Sequence, residues 1–129
     1  KQFRMPTYVN GNDDGMMIEV CAGLLNGDNP ADCVRKETEE ETGYKISNVK
    51  KLMQPFMSPG SVTEILYLFV GEYDESMKVS EGGGAEDETE NIEVLELDFE
   101  KAMEMITTGE INDSKTIILL QYAKLNGLV

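Results

Sequence analysis

The stretch that most constrains this chain is residues 22–44, AGLLNGDNPADCVRKETEEETGY, which reads as a strand end, a tight loop and then a short helix loaded with carboxylates. Asp28 and Asn29 are both helix N-cap types, and Pro30 beside them suits the first helical position. Gly43 suits the left-handed conformation just past a helix end. Between these stops Glu37, Glu40 and Glu41 stand at i, i+3 and i+4 and share one face. Like charges at that spacing destabilise a helix by a few tenths of a kcal/mol per pair, roughly, so something positive is expected against them. Part of the acid has a local answer, because Arg35 and Glu39, and Lys36 and Glu40, stand at i, i+4. A solvated acidic face is therefore one reading of the helix. A site for a hard divalent cation is the other, since such ions take oxygen ligands and Mg²⁺ uses one or two carboxylates together with substrate phosphates.

Length and composition narrow the chemistry further. A chain of 129 residues is expected to form one domain around a single core. Its 25 acidic against 11 basic side chains leave a formal net charge of −14. That balance argues against nucleic-acid binding and against docking on anionic lipid. No apolar run reaches the length of a membrane-spanning helix. With no histidine, acid–base and metal chemistry fall to carboxylates. Cys21 and Cys33, expected on a strand and a helix, read as small buried thiols of a reducing compartment, the cytoplasm, rather than as a disulfide.

Residues 1–5 read as a strand end stopped by Pro6, and the cluster from Asn10 to Gly15 as a turn. Residues 16–22, apolar apart from Glu19, have the length of a buried strand, and residues 65–73 (ILYLFVGEY) that of a central one. Between them, residues 44–46 and 50–57 read as short extended segments. The Pro59-Gly60 pair makes residues 58–64 a loop. Residues 74–91 form a long acidic connection with three successive glycines at 82–84; such connections are either functional or disordered. Residues 92–97 partly alternate and predict a strand. Asp98 then caps a helix over 99–108, with Phe99, Ala102, Met103 and Ile106 on its apolar face, and Gly109 ends it. Asp113 or Ser114 caps a last helix over 115–125, whose main stripe is Ile118, Leu119, Tyr122 and Leu125, widened by Ile117, Leu120 and Ala123 so that the helix is expected to be well buried. Lys115 lies in the first turn of that helix, where the dipole prefers an anion.

Gly23, Glu37, Glu40, Glu41, Gly43 and Tyr44 together resemble the signature of the Nudix hydrolases. In that pattern a glycine, a loop, then Arg-Glu-hydrophobic-x-Glu-Glu-x-Gly-hydrophobic form a loop-helix-loop metal site. Lys36 replaces the arginine, Thr38 replaces the hydrophobic residue, the first loop is one residue short, and Asp28 or Asn29 stands for its usual glutamate. The resemblance implies an α/β fold, the Nudix α/β/α sandwich with a mixed sheet. It also implies that residues 1–129 are the Nudix hydrolase domain of a longer enzyme, with earlier strands ahead of Lys1. Sheet edges left open by such a truncation invite pairing, and a homodimer is expected.

The activity implied is Mg²⁺-dependent hydrolysis of a nucleoside diphosphate sugar, with Mn²⁺ as the alternative ion. Glu37, Glu40, Glu41 and the Ala22 carbonyl would be ligands, with Gly23 beside them. Arg4, Glu64 and Lys115 would contact substrate. In the acidic connection the implied loop carboxylate is Glu88, acting as metal ligand or base, with Asp87 against the substrate; Glu86 and Glu90 compete for the role. Three local features sit nearer to GDP-mannose-cleaving members than to ADP-ribose-cleaving ones: Tyr8-Val9-Asn10-Gly11-Asn12, the cysteine in Glu19-Val20-Cys21-Ala22-Gly23, and the glycine triplet. The other readings are ADP-ribose as substrate, a non-catalytic nucleotide-binding module, and an acidic Ca²⁺-buffering domain.

Overall fold

A computed structural model of the chain describes residues 1–85 and 91–129. They form two compact units: Lys1–Val20 with Gly83–Val129, and Cys21–Gly82. The carboxylates placed in the acidic connection, Glu86, Asp87, Glu88 and Glu90, lie outside the described residues.

In the first unit, strand β1 (Gln2–Phe3) pairs antiparallel with β2 (Met16–Met17). Pro6 does not simply stop a strand. It opens a short helix, α1 (Met5–Val9), because a fixed φ and a missing N–H both suit a first turn; Thr7 and Tyr8 donate to the Arg4 carbonyl, each at 3.1 Å. Helix α3 (Phe99–Thr108) is capped by the Asp98 carboxylate on the Lys101 N–H and ends at Gly109, which is left-handed at φ 85°. Helix α4 (Ser114–Leu125) is capped by Asp113 on the Thr116 N–H. Ala102 and Met105 of α3 and Ile111 form the core here, with Ile18, Ile106, Ile117 and Leu120 packed on it. The faces differ from expectation. Met105 takes the buried place in α3 that was given to Met103, and α4 packs Ile117 and Leu120, from the flank of its expected stripe, on the core while Leu125 is 86% exposed. Because α4 is apolar on nearly every side, its stripe is chosen by the neighbour rather than by its own periodicity.

In the second unit, helix α2 (Pro30–Thr42) has Asn29 as N-cap, its side chain accepting from the Ala31 N–H at 2.9 Å, and Gly43 at φ 81° as its left-handed end. Strand β3 (Val49–Met53) pairs antiparallel with β4 (Leu68–Gly71). The connection between them closes as a hairpin, with a Phe56–Ile65 bridge and a Met57 N–H bond to the Glu64 carbonyl. A single 3₁₀ turn (Glu75–Met77) is capped by Asp74, and the chain then lies along the end of α2, where Val79 donates to the Gly43 carbonyl at 2.8 Å.

Among the described residues the mixed sheet is replaced by these two small antiparallel pairs. Residues 16–22 are strand only at 16–17, since the Val20 and Ala22 N–H groups are taken by the side chains of Thr116 and Glu41, so Cys21 lies outside any strand. Within residues 92–97, Ile92 donates to the Gly83 carbonyl and Glu93 exchanges two bonds with Lys1, and no strand is formed. The apolar run at 65–73 is regular only over β4 and is one of a pair rather than central. No helix of the described residues is long and apolar enough to cross a membrane.

Candidate metal and phosphate site

The acidic face of α2 is used unevenly. Glu41, in the last turn of α2, is 5% exposed, and its Oε2 accepts the Ala22 N–H at 3.3 Å. Glu37, one turn earlier, lies against Gly23: a Cβ built on that glycine would stand 2.0 Å from Glu37 Oε1 and 2.1 Å from its Cδ. The two carboxylates thus flank the same exposed two-residue stretch of backbone. Glu40 is instead within 3.5 Å of Lys36 Nζ. The expected partner of Arg35 is not Glu39. Arg35 bonds Asp32 at 2.7 Å and the Ser47 carbonyl at 2.8 Å, and Glu39 pairs with Lys45, because an anion one turn back and an open carbonyl fit the guanidinium fork better.

Both cysteines are free thiols. Burial pushes Cys21 up, and the charges of Glu41 and Glu37 add to it. Burial followed by the Glu37 charge does the same for Cys33.

No three acid or cysteine side chains among the described residues come close enough to hold an ion by themselves. The donor set nevertheless fits a hard cation that keeps water and phosphate in its shell. It offers two oxygen-only carboxylates converging on a backbone that carries a carbonyl, at a position where only the missing Cβ leaves room. Mg²⁺ asks for no more than this.

The remaining predicted contacts lie on other elements. Glu64 is exposed on the hairpin loop. In the other unit Arg4 and Lys115 converge on one acid that sequence reasoning left as an exception in an apolar run: Glu19. Its isolated position among apolar residues was the available signal, since a carboxylate there needs a partner. Burial raises its affinity for a proton, but the hydrogen bonds and charges of Arg4 and Lys115 outweigh this and hold the carboxyl below its usual range. Arg4, Lys115 and, through Lys115, Asp113 are the charged groups linked to it. A lowered folded-state value means that the stabilisation is complete above the unfolded value, about pH 4.3, and is lost as pH falls through the folded one. The stability difference between wild type and Glu19→Gln should therefore be largest near neutral pH and shrink below about pH 4.3. Urea melts across that range will measure it, and a gap that stays constant would refute the assignment.

A family model for the NUDIX domain matches residues 7–119. The chain belongs to the Nudix family. This Nudix domain is 56% identical over 128 residues to a GDP-mannose pyrophosphatase of Yersinia enterocolitica, covering 99% of this chain and 66% of the relative. It is 55% identical to that of an Enterobacter species and 54% to that of Klebsiella pneumoniae, in each case over the whole of this chain. The chain spans just under two thirds of the length of these relatives, 66% and 64% for the latter two.

Proposed function

We propose that this Nudix domain hydrolyses the pyrophosphate bond of a nucleotide sugar, GDP-mannose giving GMP and mannose 1-phosphate. The observation that carries the reading is the convergence of Glu37 and Glu41 on Ala22-Gly23, in a chain more than half identical to GDP-mannose pyrophosphatases. Glu37 and Glu41, joined by Glu40 once it leaves Lys36, and the Ala22 carbonyl would hold Mg²⁺ or Mn²⁺. Bound there, the divalent ion supplies charge neutralisation at the pyrophosphate and a lowered pKa for water.

The protein's own residues do the rest. Glu88 orients the attacking water or completes the ligand set, with Glu86 and Glu90 as its competitors, and Asp87 lies beside the substrate. Arg4 and Lys115 grip phosphate oxygens, Arg4 by its planar fork and Lys115 as a point charge. Glu64 contacts the substrate. Water oxygen joins one phosphorus, the bridging P–O bond breaks, and two monophosphates leave. The finer fold we assign is the α/β/α sandwich. The working form is a homodimer in the cytoplasm, supported by sheet edges that no described strand covers and by two unpaired thiols.

Phosphorus NMR of GDP-mannose and, separately, ADP-ribose incubated with the protein and Mg²⁺ tests this. Two monophosphate signals from GDP-mannose, lost on adding a chelator, are expected. Turnover of ADP-ribose alone would move the substrate and keep the chemistry; turnover of neither would leave a nucleotide-binding module.

A further inference from the structure

Glu19 is the structural centre of a four-residue charge cluster within the first unit. Its Oε1 accepts Arg4 Nε–H at 2.7 Å, and its Oε2 accepts both Arg4 Nη2–H at 3.2 Å and Lys115 Nζ–H at 2.5 Å. Two cations distant in the chain, one where β1 turns into α1 and one in the first turn of α4, therefore share a single oxygen atom. The Glu19 side chain is 8% exposed and Lys115 15%, whereas Arg4 keeps 43% of its side chain accessible. Asp113 completes the cluster, with Oδ1 3.0 Å from Lys115 Nζ and Oδ2 capping α4 through the Thr116 N–H and hydroxyl. Thr116 Oγ1 in turn accepts the Val20 N–H, next in sequence to Glu19.

Stability alone is a poor account of this arrangement. Desolvating Glu19, Lys115 and Asp113 offsets much of what their attraction gains, and an apolar replacement is often neutral or better. The cation in the first turn of α4 is likewise unfavourable by itself. What the cluster does provide is geometry. Two long, rotamer-rich side chains are held in one conformation before any ligand arrives, which removes the ordering entropy that flexible cations lose on binding.

We propose that Glu19 is a positioning residue, fixing the Arg4 guanidinium and the Lys115 ammonium side by side as a preformed pair for the phosphate oxygens of the substrate. This rests on the reading of Arg4 and Lys115 as phosphate contacts. It makes a prediction opposite in sign to simple electrostatics. Glu19→Gln makes the cluster one unit more positive, which on charge alone strengthens anion binding; loss of positioning weakens it.

The test is calorimetry of the full chain with inorganic pyrophosphate, chelator present, so that no metal or turnover is needed. Wild type should bind, and Glu19→Gln, shown to be folded by its thermal melt, should bind about tenfold more weakly. Arg4→Ala should weaken binding as well, and adding Glu19→Gln to it should change affinity by less than about twofold, because a residue acting through another is not additive with it. With GDP-mannose and Mg²⁺, Glu19→Gln should raise KM about tenfold and leave kcat within about threefold. Should Glu19→Gln fail to fold, Arg4→Lys, which keeps the charge but cannot take both carboxylate oxygens through its Nε–Nη2 edge, should show the same weakening. No pyrophosphate binding by wild type, unchanged or tighter binding in the variants, or multiplicative effects would overturn the proposal. Glu19-dependent pyrophosphate binding without turnover of GDP-mannose would leave it standing and remove the proposed reaction instead.

Discussion

Glu41→Gln is expected to lower kcat/KM for the nucleotide sugar by at least about 10³-fold, the scale of losing a group that the reaction needs charged, while the protein remains folded. The amide is nearly isosteric with the carboxylate and still offers an oxygen to the Ala22 N–H, the bond that Glu41 makes at 3.3 Å. The charge is what disappears, and a hard cation bound by few protein ligands depends on it. Because the amide oxygen keeps the Ala22 bond, the melting temperature should stay close to that of wild type. Activity within tenfold of wild type would remove Glu41 from the chemistry; unfolding of the variant would make it a fold residue first.

Gly23→Ala should separate stability from catalysis in a second way. Gly23 does not need left-handed backbone, so a methyl group is tolerated by the chain itself, and loss of the glycine's freedom in the unfolded state works in its favour. The nearest atoms the methyl would meet are those of the Glu37 side chain, 2.0 Å from Oε1 and 2.5 Å from Cγ, and Glu37 is half-buried and can swing away. Stability should change by less than about 1 kcal/mol. Hydrolysis should fall about 10²-fold or more, because a ligand displaced by an ångström no longer meets its target. A thermal melt beside a phosphate-release assay decides the matter: a stable, fully active variant would mean that the nearness of Glu37 to Gly23 has no functional content.

What could be read in advance follows the range of the forces involved. The ends of α2, α3 and α4 were legible to within a residue or so because capping is local: Asn29, Asp98 and Asp113 each bond an N–H two or three positions on, and Gly43 and Gly109 turn left-handed where expected. Strands were over-read because a strand exists only if a neighbour completes it. The apolar run at 16–22 gave its backbone donors to Thr116 and Glu41, side chains far away in sequence. The pairing of Arg35 with Asp32 rather than Glu39 was a choice between two local acids that spacing rules do not rank. In the site itself, the face shared by Glu37, Glu40 and Glu41 was visible, but its uneven use was not. Which of three acids is buried, which meets a lysine and which rests on a glycine depends on what packs against the helix. Glu19 was conspicuous as an acid in an apolar run, and its partners Arg4 and Lys115 were singled out separately, yet nothing in one dimension brings the three together.

The burial of Glu41 also bears on how such a chain can change over generations. Glu37 and Glu40 are only partly buried, so under the proposed mechanism they are the positions at which a lineage would silence hydrolysis at least expense to folding. Glu41 is different. It holds the Ala22 backbone from inside the protein, and an apolar substitute there would take away the acceptor of that N–H. Descendants that have abandoned the reaction should therefore still carry a hydrogen-bond acceptor at position 41, a vestige kept by folding after catalysis no longer selects it.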